Sequence, residues 1–117
     1  MIEMCDEMKK LRNLLDSMGV EWTDESDITP QQLIDNLVSE GLPESFVDTT
    51  MYRTHFMVNG HKASVVNGFG SYGGYNPMRL NNQGLLELVP DLDNMSEPIG
   101  HLTAEEVIDI CFKKEKP

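Results

Sequence analysis

Apolar residues at the start of the chain recur at helical spacing. Met4, Met8, Leu11, Leu15 and Met18 stand three or four positions apart, and Ile2, Cys5 and Leu14 widen the stripe. That pattern predicts an amphipathic helix over residues 1–18, ended by Gly19 in the left-handed backbone that a helix terminus favours. Val20 and Trp22 alternate with Glu21, the mark of a short strand before an acidic turn at residues 23–27. Thr29-Pro30-Gln31-Gln32 then reads as a capping box with proline at the first helical position. Leu33, Ile34, Leu37 and Val38 give this second helix its apolar face, Gly41 closes it, and Pro43 opposes continuation.

From residue 50 the period drops to two. Tyr52, Thr54, Phe56 and Val58 alternate with Met51, Arg53, His55 and Met57, and Asn59-Gly60 follows, a strong short-range hairpin signal. A two-residue turn there sets Val58 opposite His61, Phe56 opposite Ala63, His55 opposite Ser64 and Arg53 opposite Val66. Thr54, Phe56, Ala63 and Val65 then share the core face. A further strand is expected over 85–89, broken by Pro90, and then a polar acidic loop. Thr103-Ala104-Glu105-Glu106 is a second capping box, opening a helix with Val107, Ile108, Ile110, Cys111 and Phe112. Lys113, Lys114 and Lys116 would complement the dipole at its C-terminus. The expected fold is one α+β domain over residues 1–117, with an antiparallel sheet of three to four strands packed with N-terminal, middle and C-terminal helices. The Met/Leu stripe of residues 1–18 also suits a homodimer seam.

Charge singles out one region. The 117 residues carry a formal net charge of −11, made up of −9 over residues 1–48, +2 over 49–90 and −4 over 91–117. Residues 52–75 contain no acidic side chain, and all three tyrosines and six of the nine glycines lie within 49–90. So acidic a chain does not suit general binding of DNA or RNA, which draws affinity from basic contacts to phosphate. Its carboxylates suit a solvated surface or, alternatively, imitation of nucleic acid toward a basic partner. No apolar run approaches the ~20 residues of a membrane-spanning helix. MIEMCDEMKK lacks the basic-then-apolar order of a secretory signal, so a soluble cytoplasmic protein is expected. Cys5 and Cys111 are compatible with a disulfide or, in a reducing compartment, with two buried free thiols.

The acid-free region holds the candidate chemistry. Gly68-Phe69-Gly70-Ser71-Tyr72-Gly73 matches GxGxxG, but Tyr75-Asn76-Pro77 follows where a dinucleotide-binding turn would open a helix. Glycines nevertheless let backbone amides approach a ligand closely. The ligand-binding set expected here is Arg53, His55, Asn67, Gly68, Gly70, Ser71, Tyr72, Gly73, Gly74, Tyr75 and Arg79. Phe69, Tyr72 and Tyr75 would stack, Arg53, Lys62 and Arg79 would neutralise phosphate, and a small anionic, nucleotide-like molecule fits both. The same residues also suit a tight connection whose aromatics cap the sheet. His55 opposite Ser64 outlines a nucleophile and base, yet the segment offers no carboxylate to orient the imidazole, so no catalytic residue is assigned. The spacing of His55, His61 and His101 matches no metal-ligand pattern, and no cofactor is expected.

Several runs resemble a group of small uncharacterised proteins encoded by phages and prophages of Gram-positive bacteria. They are MKKLRNLLDSMGVEW (8–22), YRTHF (52–56), VVNGFGSYGGYN (65–76), GLLEL (84–88) and EPIGHLTAEEVI (97–108). The resemblance covers most of the chain, least well over residues 24–48. It implies a setting rather than an activity, a small accessory protein that binds and blunts a host component such as an antiviral defence system; a non-enzymatic role in the host cytoplasm is expected. Two functions fit. One is sequestration of a small anionic ligand; the other is an acidic inhibitor whose carboxylates in 21–48 and 91–106 mimic nucleic acid and occlude a basic host enzyme.

Overall fold

The structure, a computed structural model, describes residues 2–79 and 81–112. In chain order the elements are α1 (Asp6–Ser17), β1 (Trp22–Asp24), α2 (Gln31–Ser39), α3 (Glu44–Val47), β2 (Met51–Val58), β3 (His61–Gly68), β4 (Tyr75–Asn76), β5 (Asn81–Asn82), β6 (Leu86–Val89), β7 (Ile99–Leu102) and α4 (Ala104–Phe112). The α+β class holds. The antiparallel sheet has five strands rather than three or four, in the order β1-β2-β3-β6-β7, and β4 and β5 form a separate ribbon.

The hairpin forms in the register that the Asn-Gly pair implies. Val58 faces His61, Phe56 faces Ala63, His55 faces Ser64 and Arg53 faces Val66. Asn59 and Gly60 both take positive φ, 50° and 83°, the backbone of a turn whose twist matches its strands. Thr54, Phe56, Ala63 and Val65 are all buried. Against this face pack Met8, Leu11 and Leu15 of α1 and Ala104, Val107, Ile108 and Cys111 of α4, with Leu86, Leu88 and Leu102 from the far strands. Met8, Leu11 and Leu15, the centre of the Met/Leu stripe, therefore lie inside the monomer, while Met18 at its end stays exposed. Both cysteines are free thiols; Cys111 belongs to the core, and burial pushes its pKa up to about 11.

Arg12 fastens α1 to the sheet edge. Its Nε donates to the buried Thr54 hydroxyl at 2.8 Å, its Nη2 to Asp24 and to the Arg53 carbonyl, each at 3.2 Å, and its guanidinium lies 4.7 Å from the Trp22 ring centre. The second capping box forms as the sequence implies: Glu106 N–H donates to Thr103 Oγ1 at 3.2 Å, and Thr103 N–H donates to Glu106 Oε1 at 2.9 Å. Lys113, Lys114 and Lys116 lie outside the described residues.

The first capping box does not form. Pro30, not Thr29, is the N-cap of α2, and the Thr29 hydroxyl instead accepts from Thr49 N–H at 3.0 Å. Thr29 N–H donates to Thr50 Oγ1 at 3.1 Å, and Asp27 and Met51 exchange two backbone hydrogen bonds of 2.8 Å. These bonds clasp the base of an arm, residues 30–48, that carries α2 and α3. Of the expected apolar face of α2 only Ile34 is fully buried; Leu33 and Val38 stay exposed. Among the described residues no helix is long and apolar enough to cross a membrane.

Candidate functional site

The glycine-rich segment leaves β3 at Gly68 and folds back on itself. Ser71 N–H donates to Gly68 O at 3.2 Å, Gly74 N–H to Ser71 O at 3.0 Å and Gly70 N–H to Tyr75 O at 2.9 Å. The Ser71 hydroxyl bridges the N–H and C=O of Gly68, each at 3.1 Å. Phe69 N–H donates to Thr50 O, and Tyr72 N–H donates to Glu87 Oε1. The amides of residues 68–72 and of Gly74 are thus bonded within the protein, so the loop is not an open nest of donors. What it offers a ligand is its side chains.

Those side chains border a cleft of about 420 Å³. Gly70, Ser71, Tyr72, Gly73, Gly74, Tyr75 and Arg79 line it, joined by Asn76, Pro77, Asn81, Gln83 and His101. None of the described residues lining it is acidic, whereas each of three other surface clefts formed by described residues includes at least one carboxylate. Seven of the eleven residues expected from sequence therefore meet in one place. Asn81, Gln83 and His101 join them unannounced, because no local pattern marks them.

His101 arrives through a bulge. Leu86 pairs with Leu102 but Leu88 pairs with Ile99, so β7 carries one residue more than β6 across that interval. His101 takes φ +60°, unusual for a residue with a Cβ, and its N–H donates to Tyr72 O at 3.3 Å. The bulge thereby places an imidazole at the wall of the cleft. Gly100 beside it lies against Tyr72, leaving no room there for a side chain.

The four other expected residues lie elsewhere. Asn67 is fully buried and exchanges side-chain hydrogen bonds with Asn82 at 3.0 and 3.2 Å, while donating to Leu85 O at 2.8 Å. Its part is to fasten the 81–85 segment to β3. Gly68 sits beneath the loop and allows close backbone approach to Thr50 and Met51. Arg53 is neutralised by Asp27 at 3.0 Å and donates to Glu25 O at 3.0 Å.

His55 borders a different cleft, of about 780 Å³, with Trp22, Met57, Lys62 and the carboxylates of Asp16, Glu21 and Glu25. Its Nε2 is shielded from water and makes no hydrogen bond, so it is not paired through that atom with Ser64. Burial holds the imidazole below its ordinary 6.5, with Lys62 and Arg53 adding to the fall and Glu25 opposing it. A depressed folded pKa means that, as pH drops below 6.5, the unfolded chain takes up a proton before the native state does. This contribution is complete above pH 6.5 and is lost as pH falls toward the folded pKa. His55→Gln should flatten the fall in denaturation midpoint between neutral pH and pH 5; an unchanged slope would count against the assignment.

His61, Asp91 and Asp93 bring one ligand atom each within 4.8 Å of one another. Protein groups already engage these atoms. Asp91 Oδ2 lies 3.2 Å from His61 Nδ1, and Asp93 accepts from Lys62 N–H at 3.3 Å. Hydrogen bonds from Asn94, with His61 adding a smaller effect, hold the Asp91 carboxyl below its usual range.

Comparison with protein-family models, curated proteins and solved structures gives no match.

Proposed function

We propose that this chain is a non-enzymatic binding protein whose glycine-loop cleft takes a small anionic, nucleotide-like ligand. In the setting implied by the resemblance, it is a phage accessory protein that sequesters such a ligand from a host defence system. One observation carries the reading: in a protein of net charge −11, a cleft whose described lining residues include no acid gathers Arg79, His101, Tyr72 and Tyr75. The volume lies within the roughly 300–1,000 Å³ of small-molecule sites. Asn76, Asn81 and Gln83 supply amide edges suited to a heterocycle, and the tyrosines supply faces. A guanidinium recognises phosphate through paired donors, and stacking on an aromatic ring is worth about 1–3 kcal/mol per base.

Titration calorimetry against a panel of nucleoside mono-, di- and cyclic phosphates tests this. At least one member should bind saturably, with affinity falling about tenfold or more in Arg79→Ala and in Tyr72→Ala, each tenfold step being about 1.4 kcal/mol. Lys62→Ala removes the same charge outside the cleft and should leave binding unchanged. Absence of binding across the panel sinks the proposal. So does an equal loss in Lys62→Ala, which would make the effect one of net charge.

A further inference from the structure

The arm of residues 30–48, with Ile28 at its base, presents apolar surface that the fold leaves uncovered. Ile28, Leu33, Val38, Leu42 and Phe46 are each 40–53 % exposed. Beside them Ile34 and Val47 are buried, but neither belongs to the main core, and α2 packs chiefly against α3. Single exposed leucines are ordinary on a protein surface. Five large apolar side chains exposed within one short arm are a concentration that calls for a covering partner.

Charge identifies the kind of partner. Between Arg12 and Arg53 the chain contains nine carboxylates and no lysine, arginine or histidine. Asp35 and Glu40 lie on the arm itself, exposed among the apolar residues. A second copy would set like charges against each other, with no basic group on the arm to offset them. An anionic lipid surface or a nucleic acid meets the same repulsion. Imitation of nucleic acid calls for carboxylates alone and leaves the five apolar side chains without a role. The complementary surface is apolar along one stripe and basic along its flanks.

We propose that this arm docks a basic amphipathic helix of a partner protein. Leu33, Val38, Leu42 and Phe46 receive its apolar stripe, and Asp35 and Glu40 meet its lysines or arginines, the helix-in-groove mode of recognition. The clasp of Thr29 to Thr49 and Thr50 holds the base of the arm to the sheet. This site is separate from the glycine-loop cleft and does not depend on its occupancy.

The probe is a fluorescent synthetic peptide of leucine and lysine, about 18 residues long, with leucines at i, i+3, i+4 and i+7. Its anisotropy is followed on titration with the full chain at near-physiological salt. Saturable one-to-one binding is expected, weakened about tenfold or more by Leu42→Ser with Phe46→Ser, and likewise by Asp35→Lys with Glu40→Lys. All four positions are exposed, so circular dichroism should show an intact fold. Glu21→Lys with Glu97→Lys, the same change of charge away from the arm, should leave affinity unchanged. A scrambled peptide of equal composition should bind at least about tenfold more weakly. No binding, equal binding of the scrambled peptide, or equal loss in the distant charge reversals overturns the proposal. So does a dimer, seen by sedimentation equilibrium, that Phe46→Ser dissociates.

Discussion

Alanine at Gly68 is expected to destabilise the protein by about 3 kcal/mol or more, at the upper end of overpacking costs, and to collapse the cleft. A Cβ there would overlap Thr50 O and stand 2.6 Å from Met51 Cα. Both obstacles are backbone atoms, so no side chain can rotate away. Gly68 closes the β2–β3 ladder opposite Met51, and its N–H and C=O hold the Ser71 hydroxyl. Relief would therefore require the ladder end and the loop to move together. Gly70 provides the contrast. It takes φ +79° and a Cβ there would meet nothing within 4 Å, so alanine faces only the left-handed backbone penalty, about 1–2 kcal/mol. Urea unfolding followed by the single tryptophan, Trp22, compares the two variants, and the Gly68→Ala loss should exceed that of Gly70→Ala by about 1 kcal/mol or more. Calorimetry on the fraction still folded should show the ligand site lost in the first variant and retained in the second. Equal stability losses would mean that the loop tolerates the added carbon.

The hairpin is legible residue by residue because its information is local. An Asn-Gly turn fixes the register, and a period of two fixes the faces. What the sequence does not disclose depends on partners distant along the chain. Thr29 satisfies the pattern of a helix cap, yet its hydroxyl is taken by Thr49, twenty residues away. Arg53 looks like a phosphate ligand until Asp27 is set beside it. β7 holds only four residues, includes a glycine and is bulged, so no alternation announces it. Its His101 reaches the cleft through that bulge. The apolar residues of α2 fit a core face by the ordinary logic of amphipathic helices, and only Ile34 is fully buried. That departure from the helical rule exposes the arm as a surface in its own right. The cleft is readable in part, seven residues of a contiguous loop, because glycine, tyrosine and the absence of acids coincide there.

Asp48→Ala is expected to cost about 3 kcal/mol at neutral pH, because it strands several donors at once, each lost partner costing about 1–3 kcal/mol. Asp48 is only 2 % exposed. Its Oδ1 accepts from Thr50 N–H at 3.1 Å and from the Thr50 hydroxyl at 2.5 Å, and its Oδ2 accepts from Ile2 N–H at 2.6 Å. Thr50 Oγ1 in turn accepts from Thr29 N–H, so one carboxylate supports both the clasp of the arm and the docking of the N-terminal segment. Burial alone would raise its pKa, but the donors from Thr50 and Ile2 outweigh that and hold it below the ordinary 3.8. With the folded pKa depressed, the stabilisation is present above the unfolded pKa and disappears as pH falls through the folded value. The wild-type protein should therefore lose stability below about pH 4, and Asp48→Asn should lose less over that interval because its acceptor does not titrate. Some slope will remain, since hydrogen bonds to Asp24 and Asp91 and the Lys10 partner of Glu105 lower those carboxyls as well. Denaturation midpoints at pH 7 and pH 3 for the wild type, Asp48→Asn and Asp48→Ala check both parts. If Asp48→Asn matched the wild type at pH 7 and fell as steeply on acidification, Asp48 would not be the carboxylate that holds the arm to the sheet.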